Sequence, residues 1–441
     1  MRQTFDLLLK GGVVVNHDGA LARDIGVLGG RIAALGEFSP ASAAETIDCR
    51  GLHVLPGVID TQVHFREPGP THKEDLESGS RAAVLGGVTA VFEMPNTNPL
   101  TTTAAAIEDK LARARRMYCD HAFYVGATHQ NPKDLAELER LPGVCGVKIF
   151  MGASTGDLLV EDDAGVLEVL RAGARRVAVH SEDEFMLRER KSLAREGDWT
   201  SHEEVRCADA AVSSTVRLIR LAREARRRIH VLHISTADEI PLLAAAKDIA
   251  TAEVTPQHLT LAAPECYERL RGFAQMNPPI RNAEHRKGLW AALTAGVFDV
   301  IGSDHAPHTR EEKEKPYPAS PSGMPGVQTL LPVMLTHVAQ GRLSLMKLID
   351  LVCHGPNRIF GIAGKGRLAV GYDADFTLVD LKRCETITHA WSASRCGWTP
   401  FDGYEASGWP VGTIIRGRTV MRDGEIVGPA SGAPMRFNET L

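Results

Sequence analysis

None of the eight cysteines, at positions 49, 119, 145, 207, 266, 353, 384 and 396, stands in a C-x-x-C pair. That spacing excludes a zinc ribbon or a thioredoxin-type couple and leaves reduced structural thiols as the expectation. No stretch approaches the roughly 18 apolar residues of a membrane-spanning helix. The opening "MRQTFDLLLKGG" has an apolar run too short for a signal peptide and no small-residue cleavage site, so a cytoplasmic protein is expected. A basic excess is also missing. The formal net charge is -5 and the pI near 6.4, so nothing draws the chain to nucleic acid or an anionic membrane, and a small-molecule substrate is the expected partner. "NET" at Asn438 matches a glycosylation sequon, a match without meaning in a cytoplasmic protein.

What is present is an alternation. Eight β-branched runs, GVIDTQVH (57–64), VTAVFEMP (88–95), HAFYVGA (121–127), VCGVKIF (144–150), RVAVHS (176–181), IHVLHIS (229–235), AEVTP (252–256) and FDVIGSD (298–304), alternate with Ala/Leu/Arg segments of helical periodicity. Eight such units predict an α/β fold, a (β/α)₈ TIM-type barrel. The G-x-G-x-x-G of a dinucleotide-binding open sheet is absent after the first strand. Residues 1–54 and 367–441 read instead as short strands broken by Gly and Asp-Gly turns. They are expected to pair into one small β-sandwich, with the barrel, residues 55–366, inserted between its halves.

Barrel enzymes place their chemistry at the C-terminal strand ends. There the sequence puts His64 (strand 1), Lys148 (strand 4), His180 (strand 5), His233 (strand 6) and Asp304 (strand 8). Singly, each is an ordinary strand-end residue. Lys148 is the least comfortable, because an ammonium buried among apolar flanks costs several kcal/mol or loses its proton. A deprotonated lysine can be carboxylated to a carbamate, a two-oxygen anionic ligand able to bridge two cations. Three histidines, a lysine and an aspartate on one rim predict metal-assisted hydrolysis, with Asp304 taking a proton from water and returning it to a leaving nitrogen.

The ordered motifs "PGVIDTQVHFREPG", "EMPNTNP", "GVKIFMGASTG", "VHSEDE", "VLHIST", "EVTPQHL", "MNPPIR", "IGSDHAPHT" and "GYDADFTLVD" resemble the amidohydrolase superfamily, and within it the dihydroorotase group, over nearly the whole chain. The resemblance implies reversible hydrolysis of dihydroorotate to carbamoyl aspartate in pyrimidine synthesis. It implies zinc, one or two ions per chain, with another divalent ion compatible. Carboxylated Lys148 would bridge, His180 and His233 would complete the more exposed ion, and His64 with Asp304 would hold the deeper one. Arg66, Asn96, Asn277 and His308 would contact substrate, Arg66 offering its fork to a carboxylate.

The chain departs from the family's D-x-H-x-H at Gln62, whose amide oxygen is a weaker zinc donor than imidazole. Gln257 and Gln328 also stand where His and Glu are common, outside the ligand set. Three outcomes follow for Gln62: a one-metal site on Lys148, His180 and His233, a two-metal site with a weakened deeper ion, or an inactive relative partnering aspartate carbamoyltransferase. The alternative activity is a hydantoinase- or allantoinase-like ureide hydrolase, relatives that usually lack Arg66. A homodimer is the common state in the family.

Overall fold

The computed structural model describes residues 4–153 and 158–438. Residues 154–156 of the "GVKIFMGASTG" motif and 439–440 of the sequon lie outside them.

Eight parallel strands pair in chain order: β1 (Val58–Val63), β2 (Val88–Glu93), β3 (Asp120–Gly126), β4 (Val144–Phe150), β5 (Val177–His180), β6 (Ile229–Val231), β7 (Ala250–Val254) and β8 (Val300–Ile301). Every residue of these strands is buried, as expected of a parallel sheet covered by helices outside and side chains within. The ring closes just beyond the last strand. His64 N–H donates to the His305 carbonyl at 2.7 Å, and Val63 bridges His305 in parallel. Two helices on the outer layer start on side-chain caps: Asp75 and Ser78 form a reciprocal capping box for Leu76–Leu85, and Asp162 caps Asp163–Arg171.

Strands 6 and 8 stop earlier than their apolar runs predict, at Val231 and Ile301 rather than Ser235 and Asp304. The cause is backbone conformation. His233 and Asp304 have φ of 38° and 46°, and Arg66, beyond β1, has 61°. Such left-handed conformations are uncommon outside glycine, and they take these three residues out of the ladder.

The chain ends form two sheets. One, of order Arg31–Gly36, Asp24–Leu28, Phe5–Lys10, Ala43–Asp48, is wholly N-terminal. In the other, His53–Pro56 runs antiparallel to Phe376–Ile387, joining the N-terminal Val13–Asn16 to the C-terminal Tyr404–Ile415 and Arg418–Arg422. Leu7, Ile25 and Ile32 of the first sheet and Val54, Phe376 and Ile414 of the second share one apolar core, which makes the pair a sandwich. The last described residues cross the strand-start end of the barrel, where Phe437 and Phe360 pack edge-on against Phe92 at ring separations of 5.9 and 5.0 Å.

Candidate active site at the strand-end rim

Strand register brings the rim together. Lys148 lies beside Ala178 and Phe150 beside His180 across the β4–β5 pair, so Lys148 and His180, two rungs apart, share a face. Lys148 is 1% exposed, its Nζ lies 4.4 Å from the centre of the Phe150 ring, and it has no hydrogen-bond partner among the described residues. Burial pulls its pKa down to about 7, against the opposing pull of Asp304 and Glu253. The neutral amine that carboxylation needs is therefore well populated near neutral pH.

His180 and His233 converge, Nδ1 of the first standing 3.0 Å from Nε2 of the second. The Nε2 of His180 faces Glu182 at 2.8 Å. Burial pushes the Glu182 carboxyl up, but Arg206 and His180 together overcome that and hold it below the usual carboxylate range. An ionised Glu182 accepts the Nε2 proton of His180 and so leaves the Nδ1 lone pair facing the rim. This carboxylate–histidine pairing is the arrangement that orients a metal-binding imidazole. Glu182 is held in turn by Arg206, whose Nε lies 3.1 and 3.2 Å from its two oxygens.

On the other side of the rim, His64 Nε2 lies 3.2 Å from Asp304 Oδ1, and Gln62 Nε2 donates to that same oxygen at 2.9 Å. Burial raises Asp304 to about 7, with Lys148 and His180 acting in the opposite direction. Burial likewise lowers His64 and His233 well below the ordinary imidazole value, aided by Arg66 for the first and by His180 for the second. Lys148 acts electrostatically on His64, His180, His233 and Asp304 alike, which ties the five predicted groups into one site. Neutral imidazoles, a buried amine without a partner and a carboxylate form a donor set that suits a divalent cation.

The predicted substrate contacts fall in two groups. Arg66 is 3% exposed; its Nε donates to the Pro307 carbonyl at 3.2 Å and its Nη2 lies 3.3 Å from His308 Nε2. That His308 nitrogen also lies 2.9 Å from the Ser322 carbonyl, while Nδ1 faces Lys73 Nζ at 3.0 Å. Only the tautomer protonated at Nε2 serves both, so His308 gives Arg66 no acceptor, and the outer edge of the guanidinium keeps donors for a ligand. Asn96 and Asn277 each sit against a histidine: Asn96 Oδ1 is 2.7 Å from His64 Nδ1, and Asn277 Oδ1 is 3.0 Å from His202 Nε2.

Glu182, Arg206 and His202 escaped the sequence reading. The one signal was an acid two residues after a strand-end histidine in "VHSEDE". Gln257 donates to the Ser303 carbonyl at 2.8 Å, bracing the turn that carries Asp304, and Gln328 both donates to Trp391 and accepts from Ala393 at 2.8 Å. Neither belongs to the donor set. His129, Glu161 and Asp162 also bring ligand atoms within 4.8 Å of one another. This exposed to half-buried trio lies apart from the five groups, and its acids already serve Arg188 and a helix cap. A cavity of about 740 Å³ lies at the opposite, strand-start end, where Asp120, Lys365, Asp373 and Arg416 line it and pair with one another.

A model of the amidohydrolase family matches residues 53–420. The chain is 36% identical to a dihydroorotase of Methanosarcina acetivorans, over 96% of this chain and 93% of that protein, and 34% identical to a dihydroorotase of Bacillus subtilis, over 95% and 99%. Among solved structures, the L-hydantoinase (dihydropyrimidinase) of Arthrobacter aurescens superimposes with a TM-score of 0.93 at 31% identity, covering 98% of this chain and all of that one. A D-hydantoinase structure follows with a TM-score of 0.90 at 26% identity, covering 98% and 99%. The barrel fold agrees with these matches, and this chain belongs to the amidohydrolase family.

Proposed function

We propose that this chain is a metal-dependent cyclic amide hydrolase that opens dihydroorotate to N-carbamoyl-L-aspartate, and closes it again, in the cytoplasm. The observation that carries the reading is the rim itself: Lys148 Nζ buried without a described partner, beside two imidazoles whose nitrogens stand 3.0 Å apart. Zinc held by Lys148 as its carbamate, with His180 and His233, fits that donor set, and when bound it would polarise the amide carbonyl and acidify a water.

The chain's own residues account for the rest. Arg66 presents its guanidinium to the substrate carboxylate and sets the ring's orientation. Asp304, on the far side of the rim from His180, takes the proton released as water adds to the carbonyl carbon. It then delivers that proton to the ring nitrogen as the carbon–nitrogen bond breaks, so one water is consumed, and the new carboxyl group releases one proton as it ionises. Asn96 fixes the ring of His64. Residues 1–54 with 367–441 would then act as the scaffold and 55–366 as the catalytic domain.

The likeness to hydantoinase structures favours a second reading, a ureide hydrolase. Turnover of dihydroorotate set against hydantoin and allantoin by the metal-replete protein tests the choice. Preference for dihydroorotate, lost on R66A, is expected; ring opening of the ureides alone would move the assignment. A homodimer and a complex with aspartate carbamoyltransferase are the partner proposals, tested by sedimentation with and without that enzyme.

A further inference from the structure

Gln62 occupies the face of β1 that it shares with His64. Its amide has a definite orientation: Nε2 donates to Asp304 Oδ1 at 2.9 Å, because the reverse orientation would set a carbonyl against a carboxylate. The side chain thus gives Asp304 a proton donor at the point where an imidazole would offer a lone pair. His64 Nε2 approaches the same oxygen at 3.2 Å. Gln62 closes on Asp304 by hydrogen bonding, and the polar side-chain atom of Gln62 left over, Oε1, is buried without a partner among the described residues. In the other half of the rim Lys148 Nζ has no described partner, and His180 Nδ1 and His233 Nε2 meet at 3.0 Å, the His180 ring being backed by Glu182.

We propose that Gln62 makes this a one-metal centre. Its amide N–H replaces the deeper ion as the group that holds Asp304 in place, and the single ion belongs to Lys148, His180 and His233. Gln62 is then a positioning residue acting through Asp304, and its carbonyl oxygen is left to accept a hydrogen bond from the attacking water. The inference rests on the hydrolase reading above and deepens it.

The test counts zinc. Protein loaded with zinc and dialysed against metal-free buffer is expected to hold one equivalent per chain by elemental analysis. H64A should keep that equivalent, H180A and H233A should lose it, and Q62H should gain a second. Two equivalents in the unsubstituted protein, loss of the ion from H64A, or Q62H remaining at one would overturn the proposal. Q62M, which keeps the volume and removes the donor, should retain its one zinc while kcat falls about tenfold at constant KM, the fold-change expected for one lost hydrogen bond to a charged group. An unchanged kcat in Q62M would overturn the positioning role. Two zincs with dihydroorotate turnover intact would defeat this inference alone, whereas no bound zinc and no turnover would defeat the hydrolase reading with it.

Discussion

Lys148 and Lys365 are buried at opposite ends of one barrel, and their surroundings could hardly differ more. Lys365, at the strand-start end, lies 2.7 Å from Asp120, pairs with Asp375 as well, and shares Asp120 with Arg416. Burial alone would lower its pKa, but Asp375 and Asp120 outweigh it and raise the value. Lys148, at the strand-end rim, has no such neighbour in contact among the described residues, and burial prevails. A buried charge that finds its partners in the fold is structural. One left without them is a cost that stability does not explain, and such costs concentrate at functional sites.

Substitution should therefore separate activity from stability. The largest effect is expected for K148A: ring opening falls by about a thousandfold or more, as metal-assisted activation of water is lost, while the melting temperature holds or rises. Short carboxylic acids should restore part of the rate, and steady-state assays with and without acetate would show it. K365M should do the reverse. Leaving Asp120 and Asp375 without their ammonium costs about 3–5 kcal/mol of folding free energy, read from urea unfolding, with kcat per folded molecule unchanged.

E182Q weakens the hold on His180, and zinc affinity measured by chelator competition is expected to drop about 10–100-fold. A further effect concerns pH. With folded Lys148 at about 7 and the unfolded side chain near 10.5, the unfolded metal-free chain binds more protons across that window, so its stability rises with pH between those values. Urea midpoints across the window should show this slope, and K148M should flatten it. Reactivation of the metal-free protein by bicarbonate and zinc should accelerate as pH rises through about 7 and level off above it.

The sequence was informative in some regions and silent in others for physical reasons. Strand periodicity and the residue types at strand ends were enough to bring His64, Lys148, His180, His233 and Asp304 to one rim, because a barrel fixes where strand ends go. It could not show that His233 and Asp304 sit beyond shortened strands with left-handed backbone, since an apolar run reads the same whether or not its last residues stay in the ladder. Hydrogen-bond partners were equally hidden. Asn96 meets His64 and Asn277 meets His202, and Arg206 reaches Glu182 across 24 positions, contacts that no local pattern records. The closure of the strand-start end by Phe437 was likewise unreadable, because a single aromatic near a chain end carries no period.

The most direct test is the steady-state rate of dihydroorotate ring opening, measured in parallel for the zinc-loaded unsubstituted protein, K148A and K365M, each scaled to its folded fraction. Turnover by the unsubstituted protein and K365M at equal rates, with K148A silent, is the predicted result. Turnover that survives in K148A, or that follows Lys365 instead, would contradict the placement of the chemistry at the rim.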